Sequence, residues 1–448
     1  MMTPSLKRLS GAMRARPAPA LSGTIKAPGD KSISHRAFIL GGLAKGVTEV
    51  TGLLESDDVI NSGRAAAALG AKVEHLGPGH WRIDGCGGQW TTPSAPLDFG
   101  NAGTGVRLMM GAVAGTGTSA DFIGDESLSS RPMRRVTDPL GEMGARFTTT
   151  GGRLPAHLDG GPLAGIHYTP PIASAQVKSA VLLAALGATG TTVVHEPQIT
   201  RDHTETMLRA FGVTLTVERD GAAATVTLTG PQTLIACPVD VPGDPSSSAF
   251  AIVAALISPG SDITLEGVMD NPARTGLIET LKEMGADITL TPGPDMAGEK
   301  TMHIHVKHSQ LHGITVPATR APSMIDEYPV LCVAAAYADG ITHMPGLEEL
   351  RAKESDRLAG SAAMLRANGV PVEEGEDSLA VTGMGIGGVP GGGRTVTHHD
   401  HRLAMSGLVI GLGAKAASSV DDIAMIATSY PDFFDHIATL GGRLEPLT

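Results

Sequence analysis

The tripeptide Pro-Gly-Asp stands at positions 28–30 and again at 242–244, and the residues after the two copies match. The first copy opens KSISHRAFILGGLAKGVTEVTGLL and runs on to Leu69-Gly70-Ala71. The second opens PSSSAFAIVAALISPGSDITLEGV and runs on to Met284-Gly285-Ala286. The offset of 214 positions is close to half of the 448 residues. A chain that repeats itself at half its length must bury the same apolar faces twice, which predicts two similar domains.

A shorter period lies beneath this one. Six helix-like stretches end on a glycine, at Gly70, Gly144, Gly212, Gly285, Gly369 and Gly441, with spacings of 74, 68, 73, 84 and 72. Glycine there suits the left-handed position that stops a helix, and a short alternating strand usually follows. Each period also opens with a small-residue helix, such as SHRAFILGGLA, SSSAFAIVAALIS or HRLAMSGLVIGLG. Helices apolar on every side are buried. The reading is an α/β chain of six βαβαββ-like units, three per half. Domain I is expected to be discontinuous, 1–28 plus 244–448, and domain II to be 29–243, with crossovers near Pro28–Asp30 and Pro242–Asp244. A cleft between domains is the usual place for a small-molecule site.

Composition enters as a set of exclusions. Net charge is −12, so the long-range field repels polyanions and no nucleic-acid partner is expected. The same balance argues at first sight against anionic substrates. Three scattered cysteines, Cys86, Cys237 and Cys332, make neither a disulfide framework nor a metal knuckle, and fit a reducing compartment, the cytoplasm. No apolar run approaches the roughly 18 residues of a membrane span. The first twenty residues carry Lys7, Arg8, Arg14 and Arg16 without an apolar core and read as a frayed leader, with an organelle transit peptide as the alternative.

Polar groups gather where the small-residue helices begin. Lys31, Ser32, Ser34, His35 and Arg36 open the first, where a helix N-terminus already favours anions. A capped helix with solvated cations is the plain alternative. The second Pro-Gly-Asp copy, with Pro245, Ser246 and Phe250 at those places, shows that the repeat does not need the charges. Gly100-Asn101-Ala102-Gly103-Thr104-Gly105 and Arg107 open the second, and small residues there let backbone N–H groups approach an anion. Arg131 precedes Pro132, which holds it extended. Ser174-Ala175-Gln176-Val177-Lys178-Ser179 open the third, either with Ser174 as an ordinary cap or as donors to a ligand. Arg201-Asp202-His203 follow. Asp326 and Glu327 lie before the apolar fifth helix, so Asp326 is a cap or a general base. Arg351, Lys353, Glu354, Asp356 and Arg357 form a mixed-charge run that ordinarily marks a solvated helix face. His398-His399-Asp400-His401 precede Arg402; neighbours on a strand or loop point apart, so no metal site is expected.

Taken together, LSGTIKAPGDKSISHRAFILGGLAKG, LDFGNAGTGVRLMMG, SLSSRPMRRV, SAQVKSAVLLAAL, APSMIDEYPVL, LEELRAKESDRL and HHDHRLAMS resemble the 5-enolpyruvylshikimate-3-phosphate synthases, class II form, over nearly the whole chain. The resemblance implies two inside-out α/β domains of three βαβαββ units each. It implies transfer of the enolpyruvyl group of phosphoenolpyruvate to the 5-hydroxyl of shikimate 3-phosphate, on the route to chorismate and the aromatic amino acids. No metal, no organic cofactor and no membrane partner are implied, and a monomer is expected. Carried onto this sequence, it implies that Lys31, Ser32, Arg36, Ser174, Ala175, Gln176, Arg201, Asp326 and Lys353 hold shikimate 3-phosphate. Lys31, Asn101, Gly103, Arg131, Gln176, Arg357 and Arg402 would hold phosphoenolpyruvate. Asp326 would be the base on the 5-hydroxyl, and Glu354 with Lys31 would handle the enol methylene proton.

The sequence departs from the class I pattern at ATSYPDFF, where Ser429 stands near a family lysine, so no lysine is assigned there. Gly103 replaces the alanine of glyphosate-insensitive class II members, so glyphosate should inhibit this chain more strongly than those. The competing readings are a UDP-N-acetylglucosamine enolpyruvyl transferase, for which none of the three cysteines lies in a matching loop, and a non-catalytic anion-binding protein. RNA 3′-phosphate cyclases share one repeat type but lack these motifs.

Overall fold

The computed structural model describes residues 9–447. They form two compact units. Unit 1 holds Gly29–Pro242 and the short segment Met296–Glu299. Unit 2 holds the described residues up to Pro28, then Gly243–Asp295, and the chain from Lys300 on.

Unit 1 has three four-stranded sheets. In order across each sheet the strands are Val239–Asp240, Lys45–Thr51, His80–Cys86, Lys72–Gly77; Leu97–Asp98, Ala120–Ile123, Arg153–Asp159, Arg146–Thr150; and His167–Tyr168, Gly190–Glu196, Ala223–Gly230, Leu215–Asp220. In each, a two-residue edge strand runs parallel to its neighbour and the other pairs are antiparallel. Parallel strands need a crossover. The helices Gly103–Thr116 and Ala175–Ala185 supply it in the second and third sheets. In the first sheet the parallel edge, Val239–Asp240, comes from the far end of the unit.

Unit 2 repeats the plan. One sheet orders Asp287–Pro292, Thr301–Lys307, Asp262–Met269 and Ser22–Lys26. A three-stranded sheet orders Asp339–Met344, Leu379–Met384 and Val372–Glu374. The last orders Arg394–Thr395, Ser418–Val420, Met13–Arg16 and Arg443–Pro446. Met13–Arg16 is therefore an internal strand, with Met13 and Ala15 buried. This corrects the expectation of a frayed leader for residues 13–16. Only two side chains of this strand face inward, too few for an alternating pattern to register. Residues 1–8 of that leader lie outside the described residues.

The six small-residue helices are Lys31–Leu43, Gly103–Thr116, Ala175–Ala185, Pro245–Ile257, Tyr328–Ala336 and His401–Gly413. The fourth and fifth are buried along their whole length. Burying one Leu, Ile or Val side chain stabilises by about 1.5–3 kcal/mol, so each such helix is a large share of its unit's core. Glycine sets how closely they approach. A Cβ on Gly111 would lie 2.2 Å from the Ala180 carbonyl oxygen, and one on Gly187 would lie 1.7 Å from that of Gly115. All six glycine stops have positive φ, from 77° to 117°, which a side chain would strain.

The Pro-Gly-Asp copies fold alike. The Asp30 carboxylate accepts from Ile33 N at 2.7 Å and caps the first helix, while Asp244 accepts from Ser246 N at 2.7 Å and caps the fourth. Within unit 1, Asp30 N donates to Pro242 O at 2.7 Å; within unit 2, Asp244 N donates to Pro28 O at the same distance. No helix among the described residues is long and apolar enough to cross a membrane.

Candidate active site

Each unit carries its own constellation at the starts of these helices. In unit 1, Lys31 is the first helical residue and its ammonium pairs with Asp58. Arg36, one turn on, is 3% exposed. Its Nε donates to Thr204 Oγ1 at 2.7 Å, Nη2 to Ser179 Oγ at 2.8 Å and Nη1 to Ser32 O at 2.9 Å. Three elements thus fix one guanidinium. Ser174 caps the third helix through Val177 N at 3.4 Å, and Ala175 and Gln176 begin that helix. Arg201 lies just before helix His203–Ala210.

The glycine loop is wired to the third helix. Arg131 Nη2 donates to Asn101 Oδ1, and Asn101 Nδ2 donates to Asp125 at 3.0 Å. Arg107 Nη1 donates to Gln176 Oε1 at 2.8 Å, and Gln176 Nε2 donates to Thr104 Oγ1 at 2.9 Å. A Cβ on Gly103 would meet Arg131 Nη1 at 3.1 Å and Arg107 Nη1 at 3.3 Å. Arg107 stands beside the glycine loop in the sequence with no role of its own. Its signal was the four-residue spacing from Gly103, which puts both on one helix face.

In unit 2 the mixed-charge run is solvated at Glu348, Glu349 and Asp356 but turns inward at Arg357. It forms a 3-10 turn, Glu348–Ala352, and then helix Arg357–Ala367, with Asp356 as cap. Arg357 is 1% exposed and is ringed by carboxylates. Nε donates to Asp400 Oδ2 at 2.8 Å, Nη1 donates to Asp326 Oδ1 at 3.1 Å, and Nη2 lies 2.5 Å from Glu354 Oε2. Burial opposes the charge of Arg357, but Asp400, Glu354 and Asp326 outweigh it and hold the guanidinium protonated above its ordinary range. Burial likewise pushes the Asp400 carboxyl up, but Arg357 and His401 together hold it below its ordinary range. Asp326 caps no helix; besides Arg357 it has Lys353 Nζ at 3.7 Å. Lys353 also pairs with Glu349 at 2.7 Å. Arg402, 8% exposed, follows Asp400, whose other oxygen accepts from Arg402 N at 2.8 Å. Its Nη1 stands 3.9 Å from Glu327. Ser429 is buried.

Asp202, His203 and Glu299 bring possible ligand atoms within 4.8 Å of one another. His203 Nδ1 is already 2.8 Å from Glu299 Oε1, so we read the group as a hydrogen-bonded contact that holds segment Met296–Glu299 to helix His203–Ala210.

These features define a protein that presents buried or half-buried cations and donors at helix starts, with three carboxylates around one guanidinium, an arrangement suited to anionic ligands. The sequence matches the EPSP synthase (3-phosphoshikimate 1-carboxyvinyltransferase) family over residues 15–437, and the chain belongs to that family. Proteins named 3-phosphoshikimate 1-carboxyvinyltransferase are similar to it along almost their whole length. That of Rhizobium johnstonii is 55% identical over 438 residues, 96% of this chain and 97% of its own. That of Rhodopseudomonas palustris strain CGA009 is 57% identical over 437 residues, 96% and 98%. The solved EPSP synthase of Acinetobacter baumannii superposes with a TM-score of 0.87 at 41% identity, covering 97% of this chain and 99% of its own. The chain is an enzyme, a transferase of the shikimate route to aromatic compounds.

Proposed function

We propose that the enzyme transfers the enolpyruvyl group of phosphoenolpyruvate to the 5-hydroxyl of shikimate 3-phosphate and releases phosphate. The observation that carries this reading is the meeting of Asp326 and Glu354 on Arg357. The reaction asks for one base and one acid at fixed spacing, and a shared guanidinium sets that spacing.

The chemistry follows from the substrates. Proton transfer to C3 of the enol makes C2 electrophilic. The 5-hydroxyl oxygen attacks C2 as Asp326 takes its proton, and a tetrahedral phosphate ester results. Loss of a proton from the former methylene and cleavage of the C2–O bond then expel phosphate and restore the double bond. Glu354, with Lys31, carries the methylene proton in both directions. Cations stabilise the departing phosphate. We assign Lys31, Ser32, Arg36, Ser174, Ala175, Gln176, Arg201, Asp326 and Lys353 to shikimate 3-phosphate, and Lys31, Asn101, Gly103, Arg131, Gln176, Arg357 and Arg402 to phosphoenolpyruvate. We further propose a cytoplasmic monomer whose two domains are the two compact units; the free cysteines support a reducing compartment. The family match disfavours the UDP-N-acetylglucosamine reaction.

Phosphate release measured with both substrates tests the reading, and none with shikimate 3-phosphate refutes it. Asp326→Ala should still bind shikimate 3-phosphate and turn over about 10²–10⁴-fold more slowly. Turnover near that of the wild type removes Asp326 as the base.

A further inference from the structure

Unit 1 buries a charged cluster that the reaction above does not use. Lys178 is 1% exposed and stands on the third central helix. Its Nζ lies 2.8 Å from Glu196 Oε2 and 2.7 Å from Glu205 Oε1, and both carboxylates are buried too. Glu196 ends the strand Gly190–Glu196, and its other oxygen accepts from Thr200 Oγ1. Glu205 is in the first turn of helix His203–Ala210. The segment 197–202 therefore leaves the ammonium at one carboxylate and returns to it at the other. Arg201 rides on that segment.

The chain contains its own control for this cluster. Four residues after the cap, where the third central helix has Lys178, the other five have Ser34, Val106, Ser248, Leu331 and Ala404. The repeat folds without a lysine there. A buried ionic trio is also a poor source of stability, because well-packed apolar groups of similar size hold a fold at least as well. What the trio supplies is geometry, since two carboxylates on one ammonium fix two elements against a third.

A second layer repeats the connection one residue along each helix. Thr204 Oγ1 donates to Ser179 Oγ at 2.7 Å, and Arg36 donates to both. Burial opposes the Lys178 charge, but Glu205 and Glu196 outweigh it and keep the ammonium protonated above the ordinary lysine range.

We propose that Lys178, Glu196 and Glu205 are positioning residues for shikimate 3-phosphate: an ionic clamp that sets Arg201 against the helix start Ser174–Gln176. The proposal rests on the assignment of Arg201 to that substrate. Steady-state kinetics of Lys178→Met, Arg201→Ala and the double variant, each checked for a native unfolding transition, test it. Lys178→Met should raise KM for shikimate 3-phosphate about tenfold and leave KM for phosphoenolpyruvate within about twofold. The double variant should be little worse than Arg201→Ala, as groups acting through one another require. A rise in both KM values alike, a loss confined to kcat, or full additivity with Arg201→Ala overturns the clamp. An unchanged KM in Arg201→Ala overturns the substrate assignment instead. If Lys178→Met does not fold, Thr200→Val, which removes only the hydroxyl bond to Glu196, is read against the same outcomes with an expected rise of about threefold.

Discussion

Gly103 shows how little room one residue can leave. A methyl group there would press on the ends of Arg131 and Arg107, 3.1 and 3.3 Å away. Both side chains are flexible at that end, so Gly103→Ala should fold normally and displace the guanidinium groups by a few tenths of an ångström. The expected outcome is a KM for phosphoenolpyruvate raised about tenfold and a larger loss of glyphosate inhibition, with the unfolding transition unchanged. Equal inhibition of the wild type and the variant removes this account. At this scale the sequence was legible where a helix start concentrates polar groups, as at Lys31–Arg36. It was silent where a partner is remote in the chain. Arg357 sits in a mixed-charge run typical of a solvated face, and only folding brings Asp400, 43 residues on, to its Nε. Lys178 stands in the donor-rich start of the third helix, but its partners lie on two later elements that only folding brings to it.

In the central helices glycine is a packing requirement. Gly111 faces the Ala180 backbone, which cannot swing aside. Gly111→Ala should therefore force the helices Gly103–Thr116 and Ala175–Ala185 apart and destabilise by about 3 kcal/mol or more. Gly141, exposed in helix Arg134–Glu142 with nothing within 4 Å of an added Cβ, is the control; Gly141→Ala should stabilise by about 0.5–1 kcal/mol. Denaturant midpoints of the two variants check both signs. The helices and their glycine stops were legible because period and punctuation are local properties of the chain. The strand Met13–Arg16 was not, since its place depends on Ser418–Val420 and Arg443–Pro446 at the far end.

For the whole molecule, net charge proved the wrong scale. The −12 total says nothing of where cations stand, and three of those proposed to meet substrate are withdrawn from solvent: Arg36, Arg357 and Arg402 are 3%, 1% and 8% exposed. The domain plan is a property of the whole as well. The long segment of unit 1, Gly29–Pro242, begins and ends at one place, where Asp30 N meets Pro242 O at 2.7 Å and Val239–Asp240 completes the first sheet beside Val50–Thr51. Such a segment behaves as a loop knotted shut at its own neck. Its two ends can be joined and the chain reopened elsewhere without breaking a sheet, and residues 29–242 expressed alone should unfold in one cooperative transition. A gene in which this segment was once spliced into a relative of unit 2, or is now spliced out and replaced, needs only two cuts, both at the same point in space.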